Sequence, residues 1–134
     1  MYKTIDKWEP DYLLSDPNGA QKIAIPCTPG KGVVQRGQIM KRAENGMYDP
    51  AAAADIVATN NLVVINETVD TDEDATVAAT AAAYRAGRMF ESRLRLAENG
   101  TLTAAHKLIL RQQGILTDQM MDEAAEFNNS TATE

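Results

Sequence analysis

A chain of 134 residues with a net charge of −6 and 44% apolar residues has the length of one domain. Much of the apolar share is alanine and large side chains are few, with two Phe, one Trp and four Tyr, so the core has a thin margin that oligomer contacts would widen. The acidic balance argues against nucleic-acid binding, which needs Lys and Arg gathered on one face. Cys27 is the only cysteine and His106 the only histidine, which excludes an intramolecular disulfide and a zinc site and fits a reducing compartment. No stretch approaches the roughly 18 apolar residues of a membrane span, and charges stand where a signal peptide needs an apolar run. Synthesis in the cytoplasm, with no membrane partner, is the expectation.

In chain order, residues 1–22 mix charges, aromatics and turn formers, with Pro10, Pro17 and Asn18-Gly19 breaking any regular period. This reads as an extended arm. It holds the only Trp and half the Tyr, so Tyr2, Trp8, Tyr12, Leu13 and Leu14 are candidates for burial against another chain. Short β-like pieces follow at Ile23 to Ile25, Gly32 to Gln35 and Gln38 to Arg42, punctuated by Pro and Gly. Asn45-Gly46 marks a turn, and Asp49-Pro50 before four alanines can start a short helical turn, with Asp49 as N-cap and Pro50 at N1. Leu62-Val63-Val64-Ile65, bounded by asparagines, is the clearest strand.

Five acids lie within Glu67 to Asp74. An EF-hand loop counted from Asp70 would have acids at Asp72 and Asp74, but Ala75 stands where the loop needs Gly and Ala81 where it needs Glu. No metal site is expected. Adjacent acids repel and stay in water, so the stretch reads as a solvated connection, not a catalytic pair.

The alanine-rich segment from Ala75 to Leu96 is ambiguous on its own residues. Alanine favours helix, while Gly87 costs a helix about 1 kcal/mol and Arg88 to Leu96 partly alternates with period two. The end is clearer: Thr101 or Thr103 can cap, Leu102, Ala105, Leu108 and Ile109 recur at helical spacing, and Gly114 stops the element. The expectation is a helix over about 102–113, then a second weak helix beyond Leu116 and a polar tail.

No nucleophile elbow, phosphate loop, dinucleotide fingerprint or metalloprotease motif occurs. Cys27 beside a Pro-rich turn reads as an apolar filler, and His106 as a helix residue. Neither points to an enzyme, and no cofactor is expected.

The order of the pieces carries a resemblance. Gly32-Val33-Val34-Gln35-Arg36-Gly37-Gln38-Ile39-Met40, Asn45 to Tyr48, a strand ending in Glu67 to Asp70, an Ala/Val run ending at Gly87, Phe90 to Leu94, and Leu110 to Ile115 closing a helix together resemble the lambda-like head decoration proteins of tailed bacteriophages. The resemblance covers roughly residues 23–116. It implies that the alanine-rich run is a strand reaching Gly87, and a mainly β, α+β fold: a small barrel or sandwich-like domain at 23–116 with one C-terminal α-helix. The N-terminal arm at 1–22 and the polar, partly helical tail at 117–134, read from the residues themselves, depart from the family's common pattern. The resemblance further implies a non-enzymatic virion protein on the outer surface of the capsid, a homotrimer at local three-fold axes that cements the major capsid protein. The alternative is a low-copy virion adaptor or head-fibre base docking through the same arm.

Overall fold

The computed structural model describes residues 13–72 and 76–119. Its elements are β1 (Leu14–Cys27), β2 (Val33–Val34), β3 (Ile39–Arg42), β4 (Tyr48–Pro50), β5 (Leu62–Ile65), β6 (Val69–Asp70), β7 (Ala79–Phe90), α1 (Ala104–Gln112) and β8 (Ile115–Asp118), with short 3-10 turns at Ala53–Asp55, Glu91–Arg93 and Ala97–Asn99. The fold is mainly β with a single α-helix among the described residues.

The β-branched run at Leu62–Ile65 forms β5, with all four residues buried. Burial on both faces places it between two layers. β3 flanks it on one side and β7 on the other, both antiparallel. β3 turns through Asn45-Gly46 into β4, where Gly46 takes a φ of 89° and Arg42 faces Tyr48. β4 meets β1 in a short parallel contact at Cys27 and Tyr48, and β1 pairs along its length with β7, antiparallel. The order β1-β4-β3-β5-β7 therefore returns to β1 and closes a ring of five strands, with β8 added in parallel along the last residues of β7, Gly87 to Phe90, beyond its pairing with β5.

Two packed clusters follow from this ring. Ile25, Cys27, Met40, Val63, Ile65, Ala81 and Ala83, with Tyr48 partly buried beside them, come from all five ring strands and fill its interior, with Val34 and Val69 of the β2–β6 ribbon against one end. The outer face of β3, β5 and β7 carries Ile39, Leu62, Val64, Tyr84 and Met89, covered by Leu13, Ala51, Ile56, Leu96, Leu110 and Ile115. Neighbours in β5 alternate between the clusters, as the two-residue period of a strand requires.

The alanine-rich run, undecided on its own residues, is strand β7. A ring of five strands has a narrow interior, and small residues on one strand let larger ones on its neighbour fit. Ile25 faces Ala81 and Ile23 faces Ala83 across the β1–β7 ladder. Helix propensity is a weak prior, overridden here by long-range pairing and burial.

Three expected boundaries move. Residues 14–22, expected in the arm, are the first part of β1, whose ladder with β7 shifts register between Leu14 and Lys22. Asn18 donates its N–H to Asp16 Oδ1 at 2.9 Å and Gly19 sits at φ 83°. The turn-forming residues make irregularities within a strand instead of separating an arm from it. At Asp49-Pro50 the chain is strand, and the helical turn comes later, at Ala53–Asp55, where Asp55 Oδ2 accepts from the Ala52 N–H at 3.0 Å. Thr117 and Asp118, expected in the tail, belong to β8. The helix itself begins after Thr103, whose hydroxyl accepts from the His106 N–H, and ends before Gly114 at φ 96°.

Gly37 stands at the tightest crossing. Its N–H donates to Ile65 O and its carbonyl accepts from the Arg95 N–H, both at 2.9 Å. With φ at 96°, a Cβ there would overlap the Arg93 carbonyl oxygen. Gly37→Ala should therefore lower stability by about 3 kcal/mol or more, measured by urea unfolding. The narrow ring makes a second expectation: Ala83→Leu should cost about 1–3 kcal/mol in the same assay through overpacking, whereas in an exposed helix it would be nearly neutral.

Candidate interaction surface

The N-terminal candidates divide at Leu13. Leu13 is 2% exposed and packs in the outer cluster, and its carbonyl accepts from the Phe90 N–H at 2.9 Å. Leu14 is half-buried against the same cluster and faces Met89. Leu13 is spent on the domain's own core, which corrects its place in a partner-binding arm, while Leu14 is only partly buried there. Tyr2, Trp8 and Tyr12 lie outside the described residues.

Just before β1, Leu13 lines an open cleft of about 170 Å³ together with Arg36, Arg93 and Arg95. Arg36 Nε donates to Asn66 O at 3.0 Å and to Asn66 Oδ1 at 3.2 Å, which fixes the guanidinium on the β5–β6 connection. Arg93 and Arg95 flank Leu94 on the segment after β7, and the backbone of Arg95 is held by Gly37 and Ile39. Sequence reasoning missed this basic lining. The alternation Ser92-Arg93-Leu94-Arg95-Leu96 was its only signal, and the meeting with Arg36 depends on the fold.

A second feature lies close by, beyond the paired ends of β1, β7 and β8. A groove of about 450 Å³ runs between α1 and β8, with Ala104, Lys107, Leu108 and Arg111 on the helix side and Leu116 and Asp118 on the strand side. The helix residues follow the i, i+3, i+4, i+7 spacing of one face. Leu108 is 57% exposed, the largest exposed apolar side chain of the described residues. Arg88 at the groove donates to both oxygens of Asp118, at 3.0 and 2.8 Å, and Ser15 Oγ donates to Asp118 Oδ2 at 2.5 Å. These bonds tie β1, β7 and β8 together and hold the Asp118 carboxyl below the usual carboxylate range, chiefly through Arg88 and then through Ser15.

The described part of the acidic stretch, Glu67 to Asp72, is more anchored than a solvated connection, and Glu73 and Asp74 lie outside the described residues. Val69 and Asp70 pair with Val34 and Val33, Thr71 is 1% exposed, and its hydroxyl donates to Gly32 O at 2.7 Å while accepting from the Lys31 N–H at 2.8 Å. Glu67 accepts from the Ala82 N–H at 2.7 Å and Asp70 from the Asp72 N–H at 2.9 Å. Among the described residues no three His, Cys, Asp or Glu side chains are grouped to hold a metal ion. Cys27 is fully buried, and burial, then the Glu67 charge, pushes its thiol up, so it stays a neutral core side chain at pH 7. His106 Nδ1 accepts from the Thr103 N–H at 3.1 Å, which engages one ring nitrogen in the helix cap. No helix among the described residues is long and apolar enough to cross a membrane.

No protein-family model matches this chain, and no curated protein matches it.

The Asp118 clasp has a pH signature. Its folded pKa is depressed, so its contribution is present above the ordinary carboxylate value of about 3.9 and is lost as pH falls through the lower folded value. Asp118→Asn should lower the melting temperature by about 2–4 °C at pH 7, and the difference from the parent protein should narrow below about pH 4. A thermal-shift series across pH checks this.

Proposed function

We propose that this protein is a head decoration protein of a tailed bacteriophage, binding the outside of the capsid as trimers at local three-fold axes and cementing neighbouring major capsid proteins. The observation that carries the reading is the ordered set of motifs from Gly32 to Ile115, each of which has a defined place in a β-rich domain with one helix. Gly32 and Val33-Val34 lead into the β2–β6 ribbon and Gly37 makes the close crossing. Asn45 to Tyr48 form the β3–β4 turn, Gly87 lies in β7, and Leu110 to Ile115 close α1 into β8.

Binding through a terminal extension suits this architecture. A ring that closes on itself leaves few free strand edges for a partner, whereas residues 1–12 precede Leu13, the first core residue among the described residues, and carry Tyr2, Trp8 and Tyr12. Aromatics of this kind dominate interface energetics. The cleft of Arg36, Arg93 and Arg95 at Leu13 sets positive charge at the root of that extension. The role is structural: the one thiol is a buried core group and the one imidazole caps a helix.

Purified protein added to undecorated expanded heads should bind at copy numbers comparable to the shell protein, read from stained gel bands. A few copies per particle would favour an adaptor or fibre base, and no binding would reject both. Deleting residues 1–12 should leave a folded domain that binds weakly. Trp8→Ala should weaken binding by about 2 kcal/mol, roughly 30-fold.

A further inference from the structure

We propose that the groove between α1 and β8 is the docking site of the chain's own C-terminal stretch, residues 120–134, in cis. The inference is independent of the capsid reading. The groove pairs an apolar floor with a basic rim: Leu108 is 57% exposed and Leu116 half-buried, while Lys107, Arg111 and Arg88 stand around them. Two of these cations are already matched, Lys107 to Glu91 at 3.0 Å and Arg88 to Asp118 at 2.8 Å. Arg111, in the last turn of α1, has no ion pair among the described residues and leaves the groove with unmatched positive charge.

The occupant is chosen by charge, pattern and reach. Residues 120–134 contain Asp122, Glu123, Glu126 and Glu134 and no Lys or Arg. Met120, Ala124 and Phe127 recur at the spacing of one helix face, with Met121 beside them, so the stretch offers an apolar stripe bordered by acids. That is the complement of an apolar floor bordered by Lys107 and Arg111. Asp118 itself lines the groove, so the stretch starts two residues from its wall. Fifteen residues span up to about 50 Å when extended, so the tether sets no barrier. A short tether also gives an effective concentration in the millimolar range, at which modest contacts suffice. The N-terminal residues 1–12 fit less well, because Lys3 and Lys7 offset much of the charge of Asp6, Glu9 and Asp11.

Disulfide trapping in the full chain tests the proposal. Leu108→Cys is combined with Phe127→Cys, and Val33→Cys, at a site 60% exposed on the β2–β6 ribbon, replaces the first as control. Cys27 is buried and does not compete. Under mild oxidation at low protein concentration, the first pair should form an intramolecular disulfide at least tenfold faster than the control. Arg111→Glu should slow it several-fold, as should Glu123→Lys with Glu126→Lys, and joining the two reversals should restore much of the rate. Equal rates for the two pairs would overturn the proposal. Disulfide-linked dimers as the main product would overturn the cis arrangement and identify a second copy as the occupant.

Discussion

Everything in this fold hangs on the ring closing at β1. Its backbone must pair with β4 on one side and with β7 on the other, and only then do β3 and β5 find themselves in the middle, with both faces covered. Closure also fixes the volume inside. Five strands enclose little space, so Ile25, Met40, Val63 and Ile65 fit only because Ala81 and Ala83 yield room on β7. A chain with few large apolar residues builds its core by spending them on one wall and alanine on the other. Backbone hydrogen bonds, not side-chain bulk, then hold β1 against β7.

Small residues serve the same end wherever backbones cross. Gly37 lets the β5 end, the Arg95 segment and β3 meet within hydrogen-bond distance. Gly87 lies against Ala20 of β1, and Gly114 against Ala86 where α1 turns into β8. Each crossing brings a long-range segment onto the ring, so a Cβ at Gly37 would disturb packing far along the chain. The outer cluster is assembled last in space if not in time: α1, the 3-10 turns and Leu13 cover the face that the ring leaves apolar.

The functional surfaces follow from where such a domain has anything left to offer. The ring consumes most strand edges, its interior and the outer face of β3, β5 and β7, and two open concavities remain near Leu13 and Asp118. The first is a basic cleft, and the second a groove with an exposed leucine and an unmatched arginine. Neither asks for a reactive group.

Local chemistry alone determined several elements. The β-branched Leu62–Ile65 strand, the Asn45-Gly46 turn and the helix between Thr103 and Gly114 are written in propensity, capping and φ preference, which act over a few residues. The failed EF-hand spacing and the solitary Cys27 and His106 were equally legible, because they are matters of count and position. Tertiary structure alone decided the rest. Nothing within Ala75 to Gly87 distinguishes strand from helix until Ile23 and Ile25 stand opposite Ala83 and Ala81. Pro17-Asn18-Gly19 reads as the end of an arm until a partner strand absorbs it into the irregular start of β1. The arginine cleft joins residues from three separate segments, and the groove joins a helix face to a later strand. These features depend on contacts distant in sequence, whose energies are small for each residue and large only when the ring closes and all of them form together.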